Sequence, residues 1–204
     1  MQAPCSGRML ILVDDEAAMI MAIAEAEGAR GSTGDNPWVG SVVTLGREVV
    51  GRGRTQGPGE DHAEIGALRE ARQLGVDLAR ATLYSTLEPC SFHGRTPACA
   101  KVIAESGVQR MVTGIRDPNP RVNGAGIAIV RAAGVAVTEG VCDAAIVRQL
   151  GVWIVRYYPH EPLRRALAIR NFGRVGIAQA IAEMYAIDLA AADEISGRAL
   201  TSPP

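Results

Sequence analysis

Between residues 15 and 155 short β-branched runs alternate with Ala- and Leu-rich stretches of helical period, and no other feature constrains the fold as strongly. Helices are expected over 15–29, His62–Leu74, about Pro97–Ser106, Ala125–Ala133 and Asp143 to about Val155. Strands are expected at Val39–Leu45, Glu48–Gly51, Thr82–Leu87, Arg110–Ile115 and Val135–Thr138. Gly46 and Arg47 join the first two strands as a hairpin, while Gly57-Pro58-Gly59 and Asp117-Pro118-Asn119-Pro120 read as turns. This order predicts an α/β chain whose sheet carries helices on both faces, with parallel strands after the opening hairpin. Aromatic residues are only 4% of a chain that is 48% hydrophobic, so Ala, Val, Ile and Leu must fill the core.

Lys and Arg number 21 against 22 Asp and Glu, a formal charge of -1 that speaks against a dedicated nucleic-acid binder. The charge-free run Ala17–Ala24 falls far short of the roughly 20 apolar residues that a membrane-spanning helix needs. Met9–Val13 is too brief for a signal-peptide core. A cytoplasmic protein without membrane contact is therefore expected. In that reducing setting Cys5, Cys90, Cys99 and Cys142 read as thiols or metal ligands, not disulfides. Tyr157, Tyr158, Pro159 and Pro162 break the pattern, which sets a domain of residues 1–156 apart from an Arg- and Ala-rich extension, 157–204. A helix around Ile177, Ile181, Met184 and Leu189 would serve that extension as a packing or oligomer contact.

Chemistry concentrates in His62-Ala63-Glu64, at a predicted helix start, and in the run from Cys90 to Cys99, the second cysteine again at a helix start. One imidazole and two thiolates supply three positions of a tetrahedral zinc and leave the fourth for water, the ligand count of a catalytic centre. Residues two apart on a helix point about 200° away from each other, so the metal must lie off the helix end for His62 to bind it while Glu64 reaches the water. Helix N-termini are expected to favour thiolates at Cys90 and Cys99. Zinc-activated water attacks an electron-poor ring carbon bearing an amino group, with Glu64 carrying protons to the ring and to the departing ammonia. A closed structural site completed by Cys5, Cys142, His93 or His160 is the non-catalytic alternative.

Four ordered blocks carry a resemblance: Asn36-Pro37-Trp38-Val39-Gly40, His62-Ala63-Glu64, LEPCSFHGRTPAC from Leu87 to Cys99, and Asp117-Pro118-Asn119-Pro120 with Gly124 and Gly126. Over roughly residues 15–150 the chain resembles the deaminase domain of the bacterial riboflavin-biosynthesis deaminase/reductase, within the cytidine-deaminase-like zinc superfamily. The resemblance implies a three-layer α/β/α fold with a central mixed five-stranded sheet. It also implies hydrolytic deamination of 2,5-diamino-6-ribosylamino-pyrimidinone 5'-phosphate or a close relative, and assembly as a homo-oligomer. By motif position His62, Cys90 and Cys99 become zinc ligands and Glu64 the proton shuttle. Asn36 would contact sugar or ring and Arg95 the phosphate, a group that a guanidinium grips with paired donors. Thr55, Phe92, His93, Thr96, Asp117 and Asn119 complete the expected pyrimidine-nucleotide site.

Three positions depart from the family pattern: Phe92 and Thr55 stand where histidines are usual, and Ala98 where a proline is. These leave the metal chemistry intact and bear on the ribose-phosphate half of the substrate, where Phe92 would form a stacking wall. Nothing after residue 156 resembles the family's reductase, so the chain is expected to deaminate only, for riboflavin or for a specialised azapteridine (toxoflavin-like) pathway. Two readings stay open beside this one. The first is a deaminase of cytosine- or guanine-type bases or nucleosides; the second is a nucleic-acid binder using Arg164, Arg165, Arg170 and Arg174.

Overall fold

A computed structural model describes residues 14–157 and the single positions Ala182 and Ala190. Helix α1 (Asp15–Glu27) starts at Asp14, whose carboxylate accepts the Ala17 N–H at 2.8 Å as an N-cap. The hairpin β1 (Gly40–Leu45) and β2 (Glu48–Arg54) follows, turning at Gly46, which takes a positive φ of 61°. Then come α2 (Ala63–Gln73), β3 (Ala81–Leu87), α3 (Cys99–Ser106), β4 (Arg110–Ile115), α4 (Ala125–Ala132), β5 (Ala136–Glu139) and α5 (Asp143–Tyr157). A single 3₁₀ turn, Leu78–Arg80, precedes β3.

The strands form one sheet in the order β2-β1-β3-β4-β5. β1 runs antiparallel to both β2 and β3, whereas β3, β4 and β5 are parallel. Successive strand residues point to opposite faces and so divide the core in two. Val42, Tyr84 and Val112 meet Ala18, Met19 and Ala22 of α1 and Ile146, Leu150 and Trp153 of α5. Their neighbours Val43, Leu83 and Met111 meet Ala67 and Leu68 of α2, Ile103 of α3 and Val130 of α4. The result is the expected three-layer α/β/α architecture around a mixed five-stranded sheet.

Two boundaries differ from expectation for a physical reason. β2 continues to Arg54, three residues past the expected end, because Gly51 and Gly53 lie against α2 and do not turn the chain. A Cβ on either would collide with a carbonyl oxygen of α2, that of Ala67 or of Ala63. α3 begins at Cys99, two residues later than Pro97, since Ala98 is still extended at φ -59° and ψ 120°. That conformation is the one proline favours, so Ala98 preserves the loop's path without the ring. The opposite end of the sheet is clamped by Asp15, whose carboxylate takes two N–H groups of Arg110 at 2.7 and 2.6 Å and the Tyr84 hydroxyl at 2.8 Å. No helix among the described residues is long and apolar enough to cross a membrane. The extension after Tyr157, with its expected helix and its arginines, lies outside the described residues, as do Cys5 and His160.

Candidate active site

His62 is the N-cap of α2, with extended backbone, and Glu64 lies inside the first turn. The imidazole thus stands off the helix end while the carboxyl group rides on the helix. Cys90 follows β3, and Cys99 opens α3. His62 Nδ1 lies 3.8 Å from the Cys90 sulfur and 3.3 Å from the Cys99 sulfur. In a tetrahedral zinc site adjacent nitrogen and sulfur ligands stand about 3.6 Å apart, so these donors fit that ion. All three ligand atoms lie within 4.8 Å of one another, and among the described residues no other such group occurs. His93 is exposed with Nδ1 near the Gly94 carbonyl at 3.1 Å, and the Cys142 thiol faces the Glu16 carbonyl. Neither joins the three ligands.

The electrostatics of the cluster are uneven. Hydrogen bonding from Cys99, and then from the His62 ring, pulls the Cys90 thiol well below its ordinary range despite desolvation. The same hydrogen bond, together with burial, pushes Cys99 up. At the N-terminal turn of α3 the Cys99 N–H donates to the Cys90 sulfur at 3.2 Å. His62 is raised, chiefly through its hydrogen bond with Cys90. Its Nε2 lies 3.5 Å from the Thr96 hydroxyl, a contact that orients the ring. Glu64 is buried at 3% exposure, and loss of hydration pushes its carboxyl group up to about 7.

Two connected spaces surround these groups. An inner chamber of about 50 Å³ is lined by Glu64, His62, Cys90, Thr55, Asn36 and Asp117, among others. It shares His62, Cys90, Asn36 and Asp117 with an outer cleft of about 330 Å³, whose wall includes Phe92, Arg95, Thr96 and Asn119. Of the residues expected at the site, His93 and the metal-ligand candidate Cys99 lie on neither wall, Cys99 being buried behind them. The Asn36 main chain is pinned to Thr33 through its N–H at 3.2 Å and its carbonyl at 2.7 Å. Thr55 reaches the inner wall, but its hydroxyl accepts the Val39 N–H at 3.0 Å, where it joins β1 to the end of β2. Arg95 is half-exposed and grips both oxygens of Asp35, at 2.9 and 3.3 Å.

Asp117 is 9% exposed, and burial lifts its carboxyl group to about 6. It accepts the Asn119 N–H at 2.8 Å, and Asn119 in turn accepts the Arg121 N–H at 3.0 Å, so the two side chains shape successive turns.

Several residues that shape the site lie outside the expected set. Glu88, 2% exposed, accepts the N–H groups of Asp117, Gly124, Gly126 and Ile127 at 2.9–3.2 Å. It thereby ties the start of α4 to the loop that carries Cys90. An acid between Leu87 and Pro89, at the end of an apolar strand, was the available signal. Trp153 and Tyr157 of α5 close the outer wall, and no local pattern marked them.

The cytidine and deoxycytidylate deaminase zinc-binding region matches residues 12–115. The riboflavin biosynthesis protein RibD of Synechocystis sp. is 39% identical over 170 residues, which are 83% of this chain and 45% of that protein. A Buchnera aphidicola protein named diaminohydroxyphosphoribosylamino-pyrimidine deaminase is 38% identical over 62% of this chain and 84% of its own length. Among solved structures, Acinetobacter baumannii RibD superposes with a TM-score of 0.67 at 35% identity, over 72% of this chain and 40% of that one. The chain thus spans under half of the two RibD proteins and most of the Buchnera one. With a three-layer fold, a His-Cys-Cys cluster and a buried glutamate at its base, the chain belongs to the cytidine and deoxycytidylate deaminase zinc-binding family.

Proposed function

We propose that the chain hydrolytically removes an amino group from 2,5-diamino-6-ribosylamino-pyrimidinone 5'-phosphate or a close relative, releasing ammonia. The observation that carries this reading is the inner chamber, where the Glu64 carboxyl group is buried beside the two metal ligands His62 and Cys90 and opens to a cleft of nucleotide size. The likeness to the Buchnera protein, named for deamination of such a pyrimidine, supports the substrate class.

His62, Cys90 and Cys99 would hold zinc, which when bound supplies Lewis-acid activation of water. Glu64, poised near neutrality by burial, accepts a proton from the attacking water and delivers it to the ring nitrogen next to the amino-bearing carbon. It then passes the second water proton to the departing amine. A carbon–oxygen bond forms, the exocyclic carbon–nitrogen bond breaks, and the water is fully accounted for in the new carbonyl, the ring N–H and ammonia. Asn36 and Asp117, present on both walls, stand where they would orient the ring between chamber and cleft.

The product would serve riboflavin synthesis or a specialised azapteridine pathway. On this reading the enzyme is cytoplasmic and acts as a homo-oligomer. Zinc-loaded protein incubated with the diaminopyrimidine phosphate should release stoichiometric ammonia. Zinc-replete, folded protein that leaves this substrate untouched while deaminating cytosine or guanine compounds would replace the reading with the broader one.

A further inference from the structure

Aromatic residues are scarce in this chain, yet three of them, Phe92, Trp153 and Tyr157, stand on the wall of the outer cleft. They are not equally open. Trp153 is 5% exposed, and Phe92 is half-buried with the Arg121 guanidinium carbon 4.1 Å from its ring centroid. Tyr157 is 42% exposed, and its hydroxyl has no hydrogen-bond partner among the described residues.

Helix α5 places this ring. Trp153 and Tyr157 are four residues apart, so both side chains leave the same side of the helix, one turn from each other. Their ring centroids lie 6.0 Å apart with the planes tilted by 45°. Ile146, Leu150 and Ile154 bury the helix in the core it shares with α1 and the sheet, and the Trp153 indole N–H bonds the Asp35 carbonyl at 3.0 Å. The aromatic pair thus carries the phenol from a fixed base out to the cleft wall. A phenol there offers a flat apolar face and a hydroxyl that both donates and accepts. A sugar has the matching surface, with C–H bonds on a face of its ring and hydroxyls at the edge.

Resting on the function proposed above, we infer that Tyr157 selects for the sugar of the substrate: its ring packs against the ribose and its hydroxyl bonds a ribose hydroxyl. The parts of the substrate sort by chemistry. The amino-bearing edge of the pyrimidine must reach Glu64 in the inner chamber, which at about 50 Å³ cannot hold a nucleotide. The sugar, attached to the ring through an exocyclic nitrogen, therefore lies in the outer cleft that Tyr157 lines. On that wall the Asp35 carboxylate is spent on Arg95 and Asn119 Oδ1 on the Arg121 N–H, whereas the phenol hydroxyl is uncommitted. α5 begins at Asp143, beyond the four sequence blocks that run from Asn36 to Gly126, so this selection is carried by a helix that the motifs do not include.

Tyr157→Leu should raise KM for the diaminopyrimidine ribose phosphate about three- to tenfold, with a smaller change in kcat. It should do much less to 2,5,6-triaminopyrimidinone, which carries an amino group in place of the ribosylamine. Tyr157→Phe, which keeps the ring, should raise KM for the nucleotide about threefold. Equal losses on both compounds, or none, overturn the assignment. A binding arm stands apart from turnover. Zinc-loaded wild type and Tyr157→Leu are each titrated calorimetrically with ribose 5-phosphate and with inorganic phosphate. Binding of the sugar phosphate that weakens about three- to tenfold in the variant, with inorganic phosphate unchanged, supports selection through the sugar. Ribose 5-phosphate binding that is absent, or unchanged in the variant, overturns it, as does a parallel loss of both ligands. Tyr157-dependent binding of ribose 5-phosphate in a folded, zinc-replete protein that releases no ammonia would reject the deaminase reading and keep the sugar contact. Ammonia release indifferent to Tyr157 would do the reverse.

Discussion

The indole N–H of Trp153 donates to the main-chain carbonyl oxygen of Asp35 at 3.0 Å, joining α5 to the segment that brings Asn36 into the cleft. Trp153→Phe keeps most of the buried ring and deletes this bond. The loss should cost about 1 kcal/mol, more if the carbonyl stays dry. Because Asp35 also holds Arg95, the substitution should raise KM as well as lower the urea midpoint. An altered midpoint with unaltered KM would confine Trp153 to packing.

Glu88 answers four main-chain donors from a site with 2% exposure, so Glu88→Ala strands them together. A penalty above about 3 kcal/mol is expected in denaturant unfolding. Hydrogen exchange should quicken first at the amides of Gly124, Gly126 and Ile127. Glu88→Gln, which keeps one acceptor oxygen, should fall between wild type and alanine.

Glu64→Gln retains the volume of the side chain and leaves His62, Cys90 and Cys99 in place. Zinc content by elemental analysis should stay near one ion per chain, while ammonia release drops about 10²- to 10⁴-fold. Cys99→Ser should lose the metal instead. Chelation of wild-type protein should lower its melting temperature, since the three ligands join α2, α3 and the end of β3.

Asp117 gives a pH signature of defined sign. Its folded pKa, about 6, exceeds the ordinary 3.8, so the native chain holds this proton more tightly than the unfolded one. The stabilisation from protonation is complete below about pH 4 and is lost as pH rises through 6. Asp117→Asn should remove that dependence and raise stability at pH 8 by about 1–2 kcal/mol, with turnover reduced because the group faces both spaces. Asp15 acts oppositely: held below its ordinary value by the hydrogen bond from Arg110, it stabilises above about pH 4 and ceases to do so as pH falls further. Urea titrations of both asparagine variants at pH 3, 5 and 8 separate the two contributions.

The metal cluster was legible because its chemistry is local: a histidine two residues before a glutamate, and two cysteines flanking a Gly- and Pro-containing loop, state their ligand count without a fold. The helix-end placement of His62 likewise followed from geometry. What stayed hidden depends on tertiary packing. Trp153 and Asp35 lie 118 residues apart, and nothing in either segment refers to the other. Glu88 is unexceptional until burial leaves it facing four amides. Gly51 suggested the end of a strand, although its missing side chain, like that of Gly53, permits close approach within one.

That close approach has an evolutionary consequence. With the helix bearing His62 and Glu64 seated backbone against backbone on β2, no side-chain exchange at the seam can tilt it to suit a new ring. Inherited change in what the enzyme accepts is therefore expected at the outer cleft, whose wall carries Asp35, Phe92, Arg95 and Tyr157.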